Sequence, residues 1–483
     1  MIEPLREKVE KLNEEMNREY YLHFSGQKET LELSKIMEKY RDLFSKEMVE
    51  KIKESNIPEK ERFLAFSLRG YLEDAVKEDV DQLQTELAGR KVKVNGEEVS
   101  FYYARVLMVN EPEREKRRKI YLRRLEVVEE TNGKRKEMWR KEYERVKELG
   151  YKNYTELCQA TYPVKYKDFL EKCEKFLENT ETLFFDRFEN LLRRESRVRL
   201  GEAEPHDGAF ALKLREFDEL FPREKLIPTV EKFLLSLGID LKSQHNVHID
   251  LEVRERKHPR AFCAPVKIPD EIYLNHLPAG GMEDFATTLH ELGHVEHFAW
   301  TEREHAPEYK VLGLDGVSEV YAFLFQYLLE DEEFLKEFLG FPDGVAKRFA
   351  DLYKLVHLYL VRRYCGKFRY EMELHTEMDL ENGGKIYARS LRKATGLLYP
   401  EAGYLDDLDG FFYSADYLLS WFAEAQLRET LREKFGRKWW CEEAGEFLKE
   451  LWGMGRKYTI GDVLELAGWK EVDISVLEKE LGC

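Results

Sequence analysis

Asp284-Phe285-Ala286-Thr287-Thr288-Leu289-His290-Glu291-Leu292-Gly293-His294-Val295-Glu296-His297 contains the pattern H-E-x-x-H. On a helix, residues four apart lie one turn above each other on nearly the same face. His290 and His294 can therefore present imidazole nitrogens to a single metal ion. Glu291 stands about 100° around the helix. From there it reaches water at the ion without displacing either imidazole.

A catalytic zinc site has three protein ligands and keeps a fourth position open. A histidine six residues beyond the second, as in H-E-x-x-H-x-x-G-x-x-H, is excluded: His297 stands at the glycine position and Trp300 at the last one. The other option is a glutamate on a following helix. Gly316-Val317-Ser318-Glu319-Val320-Tyr321-Ala322-Phe323-Leu324-Phe325 supplies Glu319, with Ser318 or Asp315 placed to cap the helix start. A carboxylate in the first turn of so apolar a helix is costly to bury unless it is paired, and a zinc ion pairs it. His297 is one turn beyond His294. It is expected to hydrogen-bond within the site without being a ligand, because a fourth ligand would close the site.

Working outward, helical periodicity dominates. Residues 1–24, 28–55 and 58–88 carry apolar positions three and four apart. Long amphipathic stretches recur at 111–149, 164–200, 209–237, 328–378 and 414–436. Two places read as sheet. Lys91–Phe101 alternates around Asn95-Gly96, a hairpin signal. Val247–Val253 and Glu271–Leu277 alternate on either side of a proline-marked region, and are expected to pair as a small antiparallel sheet beside the zinc helix. Tyr273, Leu274 and Asn275 on the second strand are expected to hold substrate main chain as an added strand. The fold class is mainly α. A helical lobe over 1–240 is expected to share a core with a catalytic lobe over 241–483.

The net charge of −17 argues against a nucleic-acid binder, which needs a basic surface. The clusters Arg114–Arg118 and Arg193–Arg199 are interleaved with acids and read as solvated helix faces. Six scattered cysteines, with no C-x-x-C pair, read as reduced thiols. The N-terminus lacks the apolar stretch of a signal peptide, and no run of about 18 apolar residues exists to span a membrane. A soluble, cytoplasmic protein is the expectation.

His290-Glu291-Leu292-Gly293-His294-Val295-Glu296-His297 resembles the H-E-x-G-H-x-x-H signature of the thimet oligopeptidase, neurolysin and oligoendopeptidase F family of zinc metallopeptidases. Glu319 stands 25 residues after His294, where that family has its third ligand. Arg260-Ala261-Phe262-Cys263, Tyr273-Leu274-Asn275 and Asp284 are similar to the family's lead-in, and Asp409-Gly410-Phe411-Phe412-Tyr413-Ser414-Ala415-Asp416-Tyr417 to its tyrosine segment. The resemblance implies a neurolysin-like, two-lobed helical fold with a deep channel, one zinc ion per chain held by His290, His294 and Glu319, and short unfolded peptides as substrates. It implies Glu291 as general base, Tyr413 and Tyr417 as donors to the reacting carbonyl, Asp284 and His297 behind the ligands, and Gly410 against the substrate. Two departures stand out: Leu405-Asp406-Asp407-Leu408-Asp409 has no histidine where the family has one, and Ser420 replaces a third tyrosine.

An oligoendopeptidase is therefore the leading expectation. A zinc carboxypeptidase or dipeptidyl carboxypeptidase is the alternative, and a non-catalytic peptide-binding scaffold is a further one. His357 and His375 are expected to make helix–helix hydrogen bonds. Trp439-Trp440 and Phe411-Phe412 are expected in the core.

Overall fold

The charged amphipathic stretches fold as helices because each can bury one stripe and leave the other in water. In the computed structural model, which describes residues 2–94, 96–258, 260–313 and 316–483, the helices that position the site are seven. They are α1 (Ile2–Phe24), α2 (Phe101–Asn110), α3 (Arg114–Glu148), α4 (Met282–Trp300), α5 (Gly316–Gln326), α6 (Asp343–Glu377) and α7 (Tyr413–Phe435). The stretches over 28–55, 58–88, 164–200, 209–237 and 328–378 are each broken into shorter helices. The chain is mainly helical. No helix among the described residues is long and apolar enough to cross a membrane, and all six cysteines are unbridged.

The hairpin forms as expected: β1 (Lys91–Val94) and β2 (Glu97–Ser100) pair antiparallel. Asn95 of its turn, like Asp315, lies outside the described residues. The second sheet departs from expectation. It has three strands, β3 (Val247–Asp250), β4 (Phe262–Lys267) and β5 (Glu271–Asn275), in the order β3-β5-β4. The pair expected to be antiparallel, β3 and β5, is parallel, and the antiparallel partner of β5 is β4. Pro265 hid β4 in the sequence. A proline demotes a run to an edge strand, and an edge is where β4 lies. The Cys263 N–H points away from β5, toward Glu291. By the two-residue period, the nitrogen of Pro265 points the same way, so no sheet hydrogen bond is lost there.

One large apolar core runs through both halves of the chain, from Leu5 to Leu481. A second cluster joins the hairpin to α2 and the middle of α3, through Val92, Val94, Phe101, Ala104, Ile120 and Val127. The arginines opening α3 lie only in part on a solvated face: Glu115 and Lys116 are exposed and Arg114 and Arg118 half-buried. Arg114 and Arg117 both bond Asp207, Arg118 bonds Glu204, and Arg117 is fully buried.

His357 and His375 behave as helix-packing groups. His357 Nδ1 lies 2.7 Å from Glu330, and the ring stacks on Tyr327. His375 Nδ1 lies 3.0 Å from the Tyr143 hydroxyl, and the ring stacks on Tyr154. Trp439, Trp440 and Phe412 are buried in the core. Burial pushes the His375 imidazole down to about 3, against roughly 6.5 in an unfolded chain. Between those values the unfolded state holds a proton that the folded state lacks, so stability falls as pH drops from about 6.5 toward 3. Denaturant titrations at pH 7 and 5 are expected to show a shallower acid loss for His375→Phe than for the wild type, by about one proton. Equal slopes would show that His375 is not responsible.

Candidate metal centre

The first half of the site is set by α4. Its histidine positions, one turn apart, face α5, and the closeness of the two helices is the work of Gly293. A Cβ on Gly293 would lie 2.5 Å from Ala322 Cα and 2.7 Å from Ala322 N, and closer still to the Tyr321 carbonyl. Only glycine lets the backbones approach so far. That approach brings Glu319 of α5 up to both histidines. Glu319 Oε2 is 3.4 Å from His290 Nε2, and Glu319 Oε1 is 3.6 Å from His294 Nε2. One ligand atom from each of the three residues falls within 4.8 Å of the others.

The hydrogen bonds behind this trio decide which atoms face it. His290 Nδ1 is 2.8 Å from Gln326 Oε1, an acceptor, so Nδ1 carries the proton and Nε2 presents a lone pair. His294 Nδ1 is 2.7 Å from Ser318 Oγ. The Glu319 carboxylate is buried, and among the described residues its Oε2 has no hydrogen-bond partner. A buried carboxylate against imidazole lone pairs is unfavourable unless a cation joins them. Burial alone would lower the His290 imidazole, but Glu319 beside it raises it above its usual value. Burial alone would raise Glu319, and the two imidazoles instead hold it near 2. The trio demands positive charge, and two imidazoles with a carboxylate are the donor set that suits zinc.

Glu291, about 100° around α4 from His290, is turned toward β4. Its Oε2 accepts from the Cys263 N–H of β4 at 2.8 Å. Burial lifts its carboxyl to about 7, against the opposing pull of His290 and of that N–H. A carboxylate so placed is poised to take up and return a proton near neutrality.

No protein-family model matches the chain, and no curated protein matches its sequence. The site is therefore read from its own geometry.

Tyr413 and Tyr417 open α7, one turn apart with ring centroids 4.8 Å from each other. Tyr413 donates to Glu319 Oε1 at 2.8 Å. Tyr417 lies against Tyr364, Phe323 and Trp421. Two consecutive left-handed residues, Phe411 at φ 56° and Phe412 at φ 54°, turn the chain into this helix. Such non-glycine geometry costs roughly 1–2 kcal/mol per residue and is concentrated at functional turns. The Tyr154 hydroxyl accepts from the Phe411 N–H and helps to hold it. Gly410 and Tyr413 line a cavity of about 320 Å³ with Arg69, Glu73 and Glu142.

Other expected positions fall elsewhere. Asp284 turns to His276, whose Nε2 lies 3.6 Å from its carboxylate, and not to the metal-facing pair. It accepts from the Gly280 N–H at 2.6 Å and from the Ala279 N–H, bracing the loop that enters α4. It stands too far up the helix, and Gln326 takes the place beside His290. Ser318 is no cap; it is inside α5 with its hydroxyl on His294 and His297. Tyr273, Leu274 and Asn275 lie on the central strand β5, which has a neighbour on each edge and so no main-chain groups left for a peptide. Leu274 and Asn275 are fully buried, and Tyr273 stacks on Tyr21.

Gln326 and Ser318 were missed by sequence reasoning. A signal existed for Gln326: it ends an apolar helix seven residues, two turns, after Glu319, which puts it on the same face.

Proposed function

We propose that this chain is a zinc-dependent metallopeptidase that hydrolyses short unfolded peptides, most simply as an oligoendopeptidase, with one zinc ion held by His290, His294 and Glu319. The observation that carries the reading is the convergence of two imidazole lone pairs and a buried carboxylate, with Glu291 separate from them on the same helix. When bound, zinc supplies Lewis acidity that activates water and polarises a carbonyl.

The chain's own groups do the rest. Glu291 accepts the proton of the attacking water and passes it to the leaving amine. Tyr413 donates its hydroxyl to the developing oxyanion, moving from Glu319 to the substrate; Tyr417, beside it, is the second donor. The substrate main chain lies along β4 in place of β5. There the carbonyls at Cys263 and Pro265 face outward and accept its N–H groups. With this reading goes a two-lobed, neurolysin-like body whose substrate channel lies between the lobes.

Metal analysis and digestion of a quenched fluorescent peptide test the proposal. Expected are one zinc per chain, hydrolysis lost on chelation and restored by zinc, and internal cleavage in the product map. A protein indifferent to chelators would overturn it. A C-terminally amidated peptide should be cut as well as the free acid; selective failure on the amide would favour a carboxypeptidase. Tyr413→Phe is expected to lower kcat by about 10²- to 10³-fold with zinc content intact, and Tyr417→Phe by less. The reverse ranking would transfer the oxyanion role to Tyr417.

A further inference from the structure

The hydrogen bonds behind His294 run through two more residues and have a fixed direction. His297 is fully buried. Its Nε2 is 3.1 Å from the Gly455 carbonyl, and its Nδ1 is 3.0 Å from Ser318 Oγ. A carbonyl only accepts, so His297 Nε2 carries a proton. No carboxylate is bonded to the ring among the described residues, and its neighbours are Phe298 and Tyr321. A buried imidazole in such surroundings is neutral, so its Nδ1 is an acceptor. Ser318 has one hydrogen, and it must point to His297 Nδ1. The serine oxygen then has only lone pairs left for His294, 2.7 Å away. His294 must donate from Nδ1.

We propose that the Gly455 carbonyl, His297 and Ser318 form a one-way hydrogen-bond relay that fixes the tautomer of His294, making Ser318 and His297 positioning residues for the metal centre. The inference rests on the zinc reading above and adds to it. A main-chain carbonyl 161 residues down the chain from His294 decides which nitrogen of that imidazole faces Glu319. The anchor is itself fastened: the Arg456 N–H donates to the Tyr309 carbonyl at 2.7 Å, and the Arg62 guanidinium donates to the Arg456 carbonyl at 2.5 Å. His290 is set from another side, by the Gln326 amide. The two ligands are thus oriented through different partners.

The test measures zinc affinity by titrating the metal-free full chain against a competing chelator, with unfolding of the metal-free form followed in parallel. Ser318→Ala is expected to weaken zinc binding about 10- to 100-fold, and Ser318→Thr, which keeps the hydroxyl, to restore most of it. His297→Leu should also weaken binding. The double variant should bind about as tightly as Ser318→Ala alone, because once the serine is gone His297 has no route to His294. Wild-type affinity in Ser318→Ala, or losses that multiply in the double variant, would overturn the relay. Should the variants fold poorly, nitrogen NMR of histidine-labelled wild type reads the tautomers directly. His297 is expected as the Nε2–H form, and an Nδ1–H form would end the proposal. If the wild type takes up no zinc, the metallopeptidase reading fails by itself, while the tautomer of His297 still decides the relay.

Discussion

Glu291→Gln is expected to lower peptide hydrolysis by about 10²- to 10⁴-fold while leaving one zinc per chain. The reasoning is geometric. Glu291 is not among the three groups that converge, so removing its charge subtracts nothing from the ligand set. Glutamine keeps the shape and an amide oxygen, which can still accept from the Cys263 N–H. What disappears is the ability to take a proton from water and return it. The variant should therefore pass every structural control and fail only at turnover, read as kcat on a fluorescent peptide beside metal content. Near-normal hydrolysis would remove Glu291 from the reaction and leave the base to be sought elsewhere.

Gly293→Ala is expected to damage the site without touching any of its chemistry. One methyl at 293 would meet α5 backbone at 2.5 Å from Ala322 Cα, where ordinary carbon contact needs about 3.5 Å or more. Backbone cannot swing aside as a side chain can, so the helices must part by about 1 Å. Overpacking of this kind costs about 1–3 kcal/mol. The larger effect is on metal. A ligand set tolerates only about 0.2 Å of error, and Glu319 rides on the helix that is displaced. Zinc affinity should fall by more than for Ser318→Ala, and the metal-free protein should unfold at lower denaturant. A Gly293→Ala protein with unaltered affinity and stability would show that the two helices can separate freely.

These outcomes bear on what was legible from residues alone. His290, Glu291 and His294 declare themselves because the chemistry is written within one helical turn. Glu319 was found at a distance because an acid in an apolar helix is an anomaly that asks for a partner. Helices were legible where a single apolar stripe persisted, as over Tyr166–Asn179, where Tyr166, Phe169, Cys173, Phe176 and Leu177 are buried. The groups that orient the ligands were not, because an orienting bond joins residues by position in space. Ser318 looked like a cap, a common role for serine at a helix start, whereas its hydroxyl turned inward to two imidazoles. The sheet was misread for a similar reason. Alternation identifies a strand but is silent on its direction, and Pro265 made the strand nearest Glu291 look like a turn.

That proline has a consequence for how the molecule behaves in a crowd. An uncovered strand edge is a template on which a second copy can stack, and stacking requires donors and acceptors in alternation. Along β4 the outward N–H of Cys263 is already committed to Glu291, and Pro265 has none to offer. Two such edges brought together would meet carbonyl to carbonyl and repel. Such an edge offers no alternating ladder to a second copy, and under the proposed function its carbonyls would still accept amide hydrogens from a peptide.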